Sequence, residues 1–201
     1  MSFNRTKFDA FIGSLNLDYF NASEFLVGTG RSKNSPPPER IWPNIVPTAL
    51  VIDAFRGHVG KSITITSCYR APAYNWRKWV GWKSGTSKPG QAKLSQHQAF
   101  SAIDFKVSGM SPDSVVAKLR AWEGGEWFRS PIQFNRVSVN LSSEAKQHGI
   151  SLPKGNVIPF SPLPQKYNLG FLGSMFTFKG GIDSYTSFSH FDTRGQSSRW
   201  L

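Results

Sequence analysis

Four histidines (His58, His97, His148, His190) and seven aspartates are the main stock from which this chain of 201 residues could build a site for acid-base or metal chemistry. Two of the histidines stand close to an aspartate. Ser95-Gln96-His97 is followed by Ala102-Ile103-Asp104, and the tail contains Phe188-Ser189-His190-Phe191-Asp192. Two imidazoles and one carboxylate are a common zinc set, because catalytic zinc takes three protein ligands and keeps a fourth position for water. Cys68 is the sole cysteine, so it forms no internal disulfide and no cysteine-rich zinc knuckle, and any metal must use histidine and carboxylate. Without a histidine in a cysteine-protease setting, it reads as a small buried filler rather than a nucleophile.

Spacing sets conditions on such a site. Seven extended steps from His97 to Asp104 would part their side chains by roughly 23 Å, so the chain has to turn back between them, most plausibly at Ala99-Phe100-Ser101. His190 and Asp192 are two apart, so on a strand both leave the same face. One site could use both, or Asp192 could orient His190 or take a proton from water at the metal. The plain alternatives are a core strand over Ala102 to Val107 with Asp104 at a turn or hydrogen-bonded to backbone, and an Asp192 acting as a turn carboxylate beside Arg194. His58, at a helix end, and His148, beside Gly149, read as bystanders.

The elements that must carry these residues are partly legible. Ile45, Ala49, Leu50, Ile52 and Ala54 recur at helical spacing before Gly57 and Gly60, which predicts a helix over 44–58. Ser62 to Cys68 is β-branched and alternates apolar with polar, the pattern of a half-buried strand that delivers Tyr69 and Arg70 to its end. Residues 71–94 read as a long surface loop in which Trp76, Trp79 and Trp82 interleave with Arg77, Lys78 and Lys83. Those rings could stack on sugars or bases, or cover the core. Ala102 to Val107 is a second strand, and Ser111-Pro112-Asp113 opens a helix over 112–122 with an N-cap, a proline in the first turn and an early acid. The first 40 residues look like an irregular wrap. Residues 124–166 read as a loop-rich insertion of hairpins with a strand near Arg136 to Leu141, and the tail from Phe171 to Trp200 suits a final pair of strands.

Composition bounds the class. Hydrophobic residues make up 39% and charged residues 18%, enough apolar material for a core and too little charge for a disordered basic tail, so one globular domain over 1–201 is expected. Lys and Arg exceed Asp and Glu by 12, which implies an anionic partner: nucleic acid, an acidic membrane face, or the phosphate and carboxylate polymers of a bacterial envelope. The basic residues are spread along the chain instead of being gathered on one reading element, so nucleic acid is the weaker choice beside anionic cell-wall polymers. No apolar run is long enough for a membrane anchor, and Met1 to Asp9 lacks the apolar stretch of an export signal.

Three ordered motifs carry a resemblance. Ser67-Cys68-Tyr69-Arg70 with Asn75, then Ser95-x-His97-x6-Asp104-Phe105, then Gly180-Gly181-Ile182-x-x-Tyr185-x-x-Phe188-x-His190-x-Asp192-x-Arg194-Gly195 ending in Arg199-Trp200, resemble the zinc D-alanyl-D-alanine carboxypeptidase family. The likeness is to its branch of small phage and bacterial wall peptidases and spans about residues 20–200. It implies a single-domain α+β fold, shared with the hedgehog signalling domain, in which a small antiparallel sheet is flanked by helices. It also implies hydrolysis of stem peptides in peptidoglycan, with His97, Asp104 and His190 as Zn2+ ligands. Arg70 would hold a substrate carboxylate or the oxyanion. A monomeric phage endolysin or virion-associated lysin fits, released from the host cytoplasm with outside help or packaged in the particle.

The chain also departs from the family pattern. Phe100 stands where the family usually has glycine, Asp183 where it usually has glycine, and Ser187 where carboxypeptidase members place the acidic base, three residues before the last ligand. The proton acceptor is therefore open, with Asp192 the first candidate and Asp183 the second. A fold-retaining, non-catalytic binding or virion structural protein is the competing expectation.

Overall fold

A computed structural model describes residues 3–31, 34–75, 92–147, 155–167 and 173–199. Trp76, Trp79, Trp82 and His148, and most of the expected loop over 71–94, lie outside the described residues.

The N-terminal wrap is less irregular than its composition suggests. Helix α1 (Arg5–Gly13) starts at Asn4, whose side chain accepts from the Lys7 N–H at 3.0 Å, and buries Phe8 and Ile12, one turn apart. Phe8 meets Trp42 edge-on at 5.1 Å, so the helix forms by covering an aromatic patch 34 positions away that local periodicity does not reveal. The expected helix over 44–58 is α2 (Val46–Val59), entered through a 3-10 turn over Glu39–Ile45 and stopped at Gly60 in the left-handed region. Its residues Val46 to Asp53 are all buried.

The predicted strands appear as β1 (Ile63–Ser67) and β2 (Ala102–Val107), and the predicted second long helix as α3 (Pro112–Trp122), with the Ser111 hydroxyl capping the Ser114 N–H. Residues 124–166 hold more ordered structure than hairpins and loops. They contain β3 (Phe128–Ser130), β4 (Val139–Asn140), a short helix α4 (Ser142–Gln147), β5 (Val157–Ile158) and β6 (Gln165–Tyr167). Strand β7 (Ser174–Phe176) pairs with both β3 and β6. Such pairing between short, distant segments leaves no local period to read.

The tail supplies β8 (Ile182–Ser184) and β9 (Ser189–Asp192). Together with β1 and β2 they form an antiparallel sheet ordered β1-β2-β9-β8, and α3 packs against β8, β9 and β2. The molecule is thus α+β with small antiparallel sheets. Ile103, Phe105 and Phe191 are wholly buried, while the intervening residues of the same strands are polar. Strand alternation puts Asp104 on one face, and antiparallel register sets His190 opposite Asp104 and Asp183 opposite His190. One extra residue between Ile65 and Ser67 brings Ser67 opposite Asp104 and bends the strand end that leads to Arg70.

Candidate metal centre

His97 rides on a 3-10 turn over Gln96–Ala99 whose N-cap is Ser95. The chain reverses at Phe100, within the Ala99-Phe100-Ser101 stretch expected to turn, with φ +56 and ψ +40. That conformation ordinarily costs a side-chain-bearing residue about 1–2 kcal/mol. Phe100 tolerates it while its ring is wholly buried, edge-on to Tyr69 at 6.1 Å. The absence of glycine therefore does not prevent the turn.

The reversal brings His97 back over the sheet. A possible ligand atom from each of His97, Asp104 and His190 lies within 4.8 Å of the others, and all three residues are buried. The ring nitrogens have distinct partners. His97 Nδ1 lies 2.6 Å from the Cys68 carbonyl, which can only accept, so Nδ1 carries the proton. His190 Nε2 lies 3.1 Å from Asp192 Oδ2 and donates to that carboxylate. What remains is His97 Nε2 at 3.1 Å and His190 Nδ1 at 2.8 Å from the same oxygen, Asp104 Oδ1. In neutral rings both of these nitrogens present lone pairs to a carboxylate, an arrangement that requires a shared positive charge. Two imidazolium ions would supply it only by facing each other, rings 5.1 Å apart, beside the Arg70 guanidinium. A divalent cation satisfies all three donors at once, so the residues fit a zinc ion.

The electrostatics of the metal-free site differ between the two rings. Burial and then the Arg70 charge push His97 below its ordinary range, toward the neutral form a metal needs. Burial alone would raise Asp104, but His97 and His190 outweigh it and hold the carboxyl far below the usual carboxylate range. Burial lowers His190, yet hydrogen bonds to Asp104 and Asp192 win and raise it.

Arg70 donates through Nη2 to Asp104 Oδ2 and through Nε to Ser67 Oγ at 2.9 Å. It is an ion pair within the site rather than on the surface. Asp192 is wholly buried. Its Oδ1 accepts from the Gly181 N–H at 3.0 Å, the Arg194 N–H at 3.1 Å and Arg194 Nε at 2.9 Å, and its Oδ2 accepts from Arg194 Nη2 at 2.5 Å besides His190. These bonds hold its carboxyl well below the usual range against burial. Asp183 accepts the Ser184 N–H at 3.2 Å and meets Arg120 Nη2 at 3.5 Å. Ser187 lies exposed in the turn between β8 and β9.

Cys68 is fully buried, with its thiol pushed up by burial, as a filler should be. Its backbone carbonyl, which residue-type reasoning ignores, orients a ring. Arg194 was visible only as a neighbour of Asp192; the Asp-x-Arg spacing was the available signal. Arg120 and Arg136 gave none. Arg136 is stacked over Phe160 at 4.7 Å and donates to the Thr193 carbonyl and, at 2.5 Å, to the Ser161 carbonyl; burial lowers it to about 10.

A family model described as Peptidase M15 matches residues 18–136. The match covers more than half of the chain, includes Arg70, His97 and Asp104, and ends before His190. No curated protein and no solved structure matches.

Proposed function

Because this chain belongs to the peptidase M15 family, we propose that it is a zinc-dependent peptidase acting on the stem peptides of bacterial peptidoglycan. The observation that carries the metal reading is the pair of imidazole nitrogens facing one Asp104 oxygen, with each ring's other nitrogen already bonded. His97 Nε2, His190 Nδ1 and Asp104 would hold the ion. When bound there, zinc supplies Lewis acidity and lowers the pKa of water toward neutrality.

The chain's own groups divide the rest of the work. Asp192 is a positioning residue: it fixes the tautomer and tilt of His190, and its oxygens already take five hydrogen bonds, which leaves it poorly suited to accept a proton. That task falls to Asp183. Relative to the family pattern, the acid has moved from the position of Ser187 to the opposite limb of the same hairpin, where it stands across from His190 on the face that carries Asp104. Asp183 takes a proton from the attacking water and returns it to the leaving amine. Arg70 offers an always charged fork to a substrate carboxylate or to the oxyanion of the tetrahedral intermediate. The charge excess of 12 favours a lysin working on an anionic wall.

Metal analysis of the purified protein and digestion of purified peptidoglycan with and without chelator test this reading. Near one equivalent of zinc and chelator-sensitive release of stem peptides are expected. If His97→Ala leaves both metal content and hydrolysis unchanged, the site is wrongly assigned. A second reading, a metal-binding relative without turnover, draws on the exposed Ser187 and on the contact of Asp183 with Arg120; zinc bound without hydrolysis would establish it.

A further inference from the structure

We propose that Asn44, in the 3-10 turn that leads into α2, and Thr48, in the first turn of α2, are positioning residues of the metal centre that take over the work of a glycine at the Phe100 turn. Both side chains are wholly buried and lie one helical turn apart. Asn44 Nδ2 donates to the Ala99 carbonyl at 2.8 Å and to the Val137 carbonyl at 3.0 Å, while its Oδ1 accepts the Val137 N–H at 2.7 Å. Thr48 Oγ1 donates to the Ser101 carbonyl at 2.8 Å. The carbonyls on both sides of Phe100 are thus held from one continuous segment, the 3-10 turn and the first turn of α2 that follows it. A left-handed residue with a side chain needs such surroundings to persist.

Thr48 reaches further. Having spent its one proton on Ser101, its hydroxyl accepts from Thr193 Oγ1 at 2.9 Å, and the Thr193 N–H lies 3.4 Å from the same Ser101 carbonyl. Ser101 immediately precedes β2, which carries Asp104, and Thr193 immediately follows β9, which carries His190. A single buried hydroxyl therefore ties the start of one ligand strand to the end of the other, and Asn44 ties the turn that carries His97. This inference rests on the metal reading of His97, Asp104 and His190.

The test is zinc affinity by competition with a chromophoric chelator, together with the visible spectrum of the cobalt-loaded protein and the thermal stability of the metal-free protein. Thr48→Val removes the hydroxyl at nearly constant shape and is expected to weaken zinc by about tenfold or more, the scale seen when groups behind metal ligands are removed. It should also change the cobalt bands, whereas Thr48→Ser should stay close to the parent in both. Should Thr48→Val fold too poorly to study, Thr193→Val, which removes the hydroxyl behind Thr48, carries the same expectation in weaker form. If the parent binds zinc and these variants bind it equally well, or lose only thermal stability, the clamp has no positioning role. If the parent itself binds no zinc, the metal reading fails first.

Discussion

At the scale of single residues, what separates the two tail aspartates is the kind of partner each has. Both are buried, but Asp192 is bonded to the His190 ring and to Arg194, while Asp183 stands opposite His190 in the sheet register and has the Arg120 guanidinium at 3.5 Å among its contacts. Their amides should therefore fail differently. Asp183→Asn is expected to lower kcat by about 10²-fold or more with zinc stoichiometry unchanged, the usual cost of losing a proton acceptor. Asp192→Asn should weaken zinc by about 10–100-fold, since a group that orients a ligand has lost its charge. Steady-state kinetics beside chelator competition read both. Acid should also strip the metal. His190 must be neutral to coordinate, and hydrogen bonds to Asp104 and Asp192 raise its pKa above the ordinary 6.5, so the proton competes with zinc once the pH falls through that raised pKa. Below that point zinc affinity should drop by about tenfold per pH unit for this one proton, measurable by zinc titration across a pH series.

At the scale of elements, the site depends on two backbone approaches. Phe100 holds a left-handed turn that glycine would adopt freely, yet its ring is part of the core beside Phe8 and Tyr69. Phe100→Gly recovers about 1–2 kcal/mol of backbone strain and forfeits about 3–5 kcal/mol of ring burial, so denaturant unfolding should show a net loss of about 1–4 kcal/mol. The second approach is at Gly180, where an added Cβ would fall 1.7 Å from the Asp192 carbonyl oxygen. Gly180→Ala must push β9 away from its neighbour, and the expected result is loss of zinc binding together with a lower melting temperature. The predicted ranges of α2, α3, β1 and β2 agree with the structure because each is a run long enough to display its own period and caps. The second sheet and α1 had no such signature: their reason to form is a partner far away in the chain, Phe176 for Phe128 and Trp42 for Phe8.

At the scale of the whole molecule, the excess of 12 positive charges acts over distances beyond any one contact. If that field draws the protein to an anionic wall, sedimentation with purified cell walls should fall steeply between about 50 mM and about 500 mM salt, as the screening length shrinks from over 10 Å to a few ångströms. Hydrolysis of a short soluble stem peptide should change far less. The linear pattern alone supplied the inventory: which few residues could ligate a metal, that the chain had to turn back between His97 and Asp104, and that His190 and Asp192 would share a face on a strand. Residue type and a period of two suffice for those statements. Only the tertiary structure decided how the acids divide their labour. Side-chain role depends on what fills each lone pair, and those partners, the Cys68 carbonyl, Arg194, Arg120 and the side chains of Asn44 and Thr48, are set by sheet register and helix packing between segments up to about 150 residues apart, over which a linear pattern carries no information.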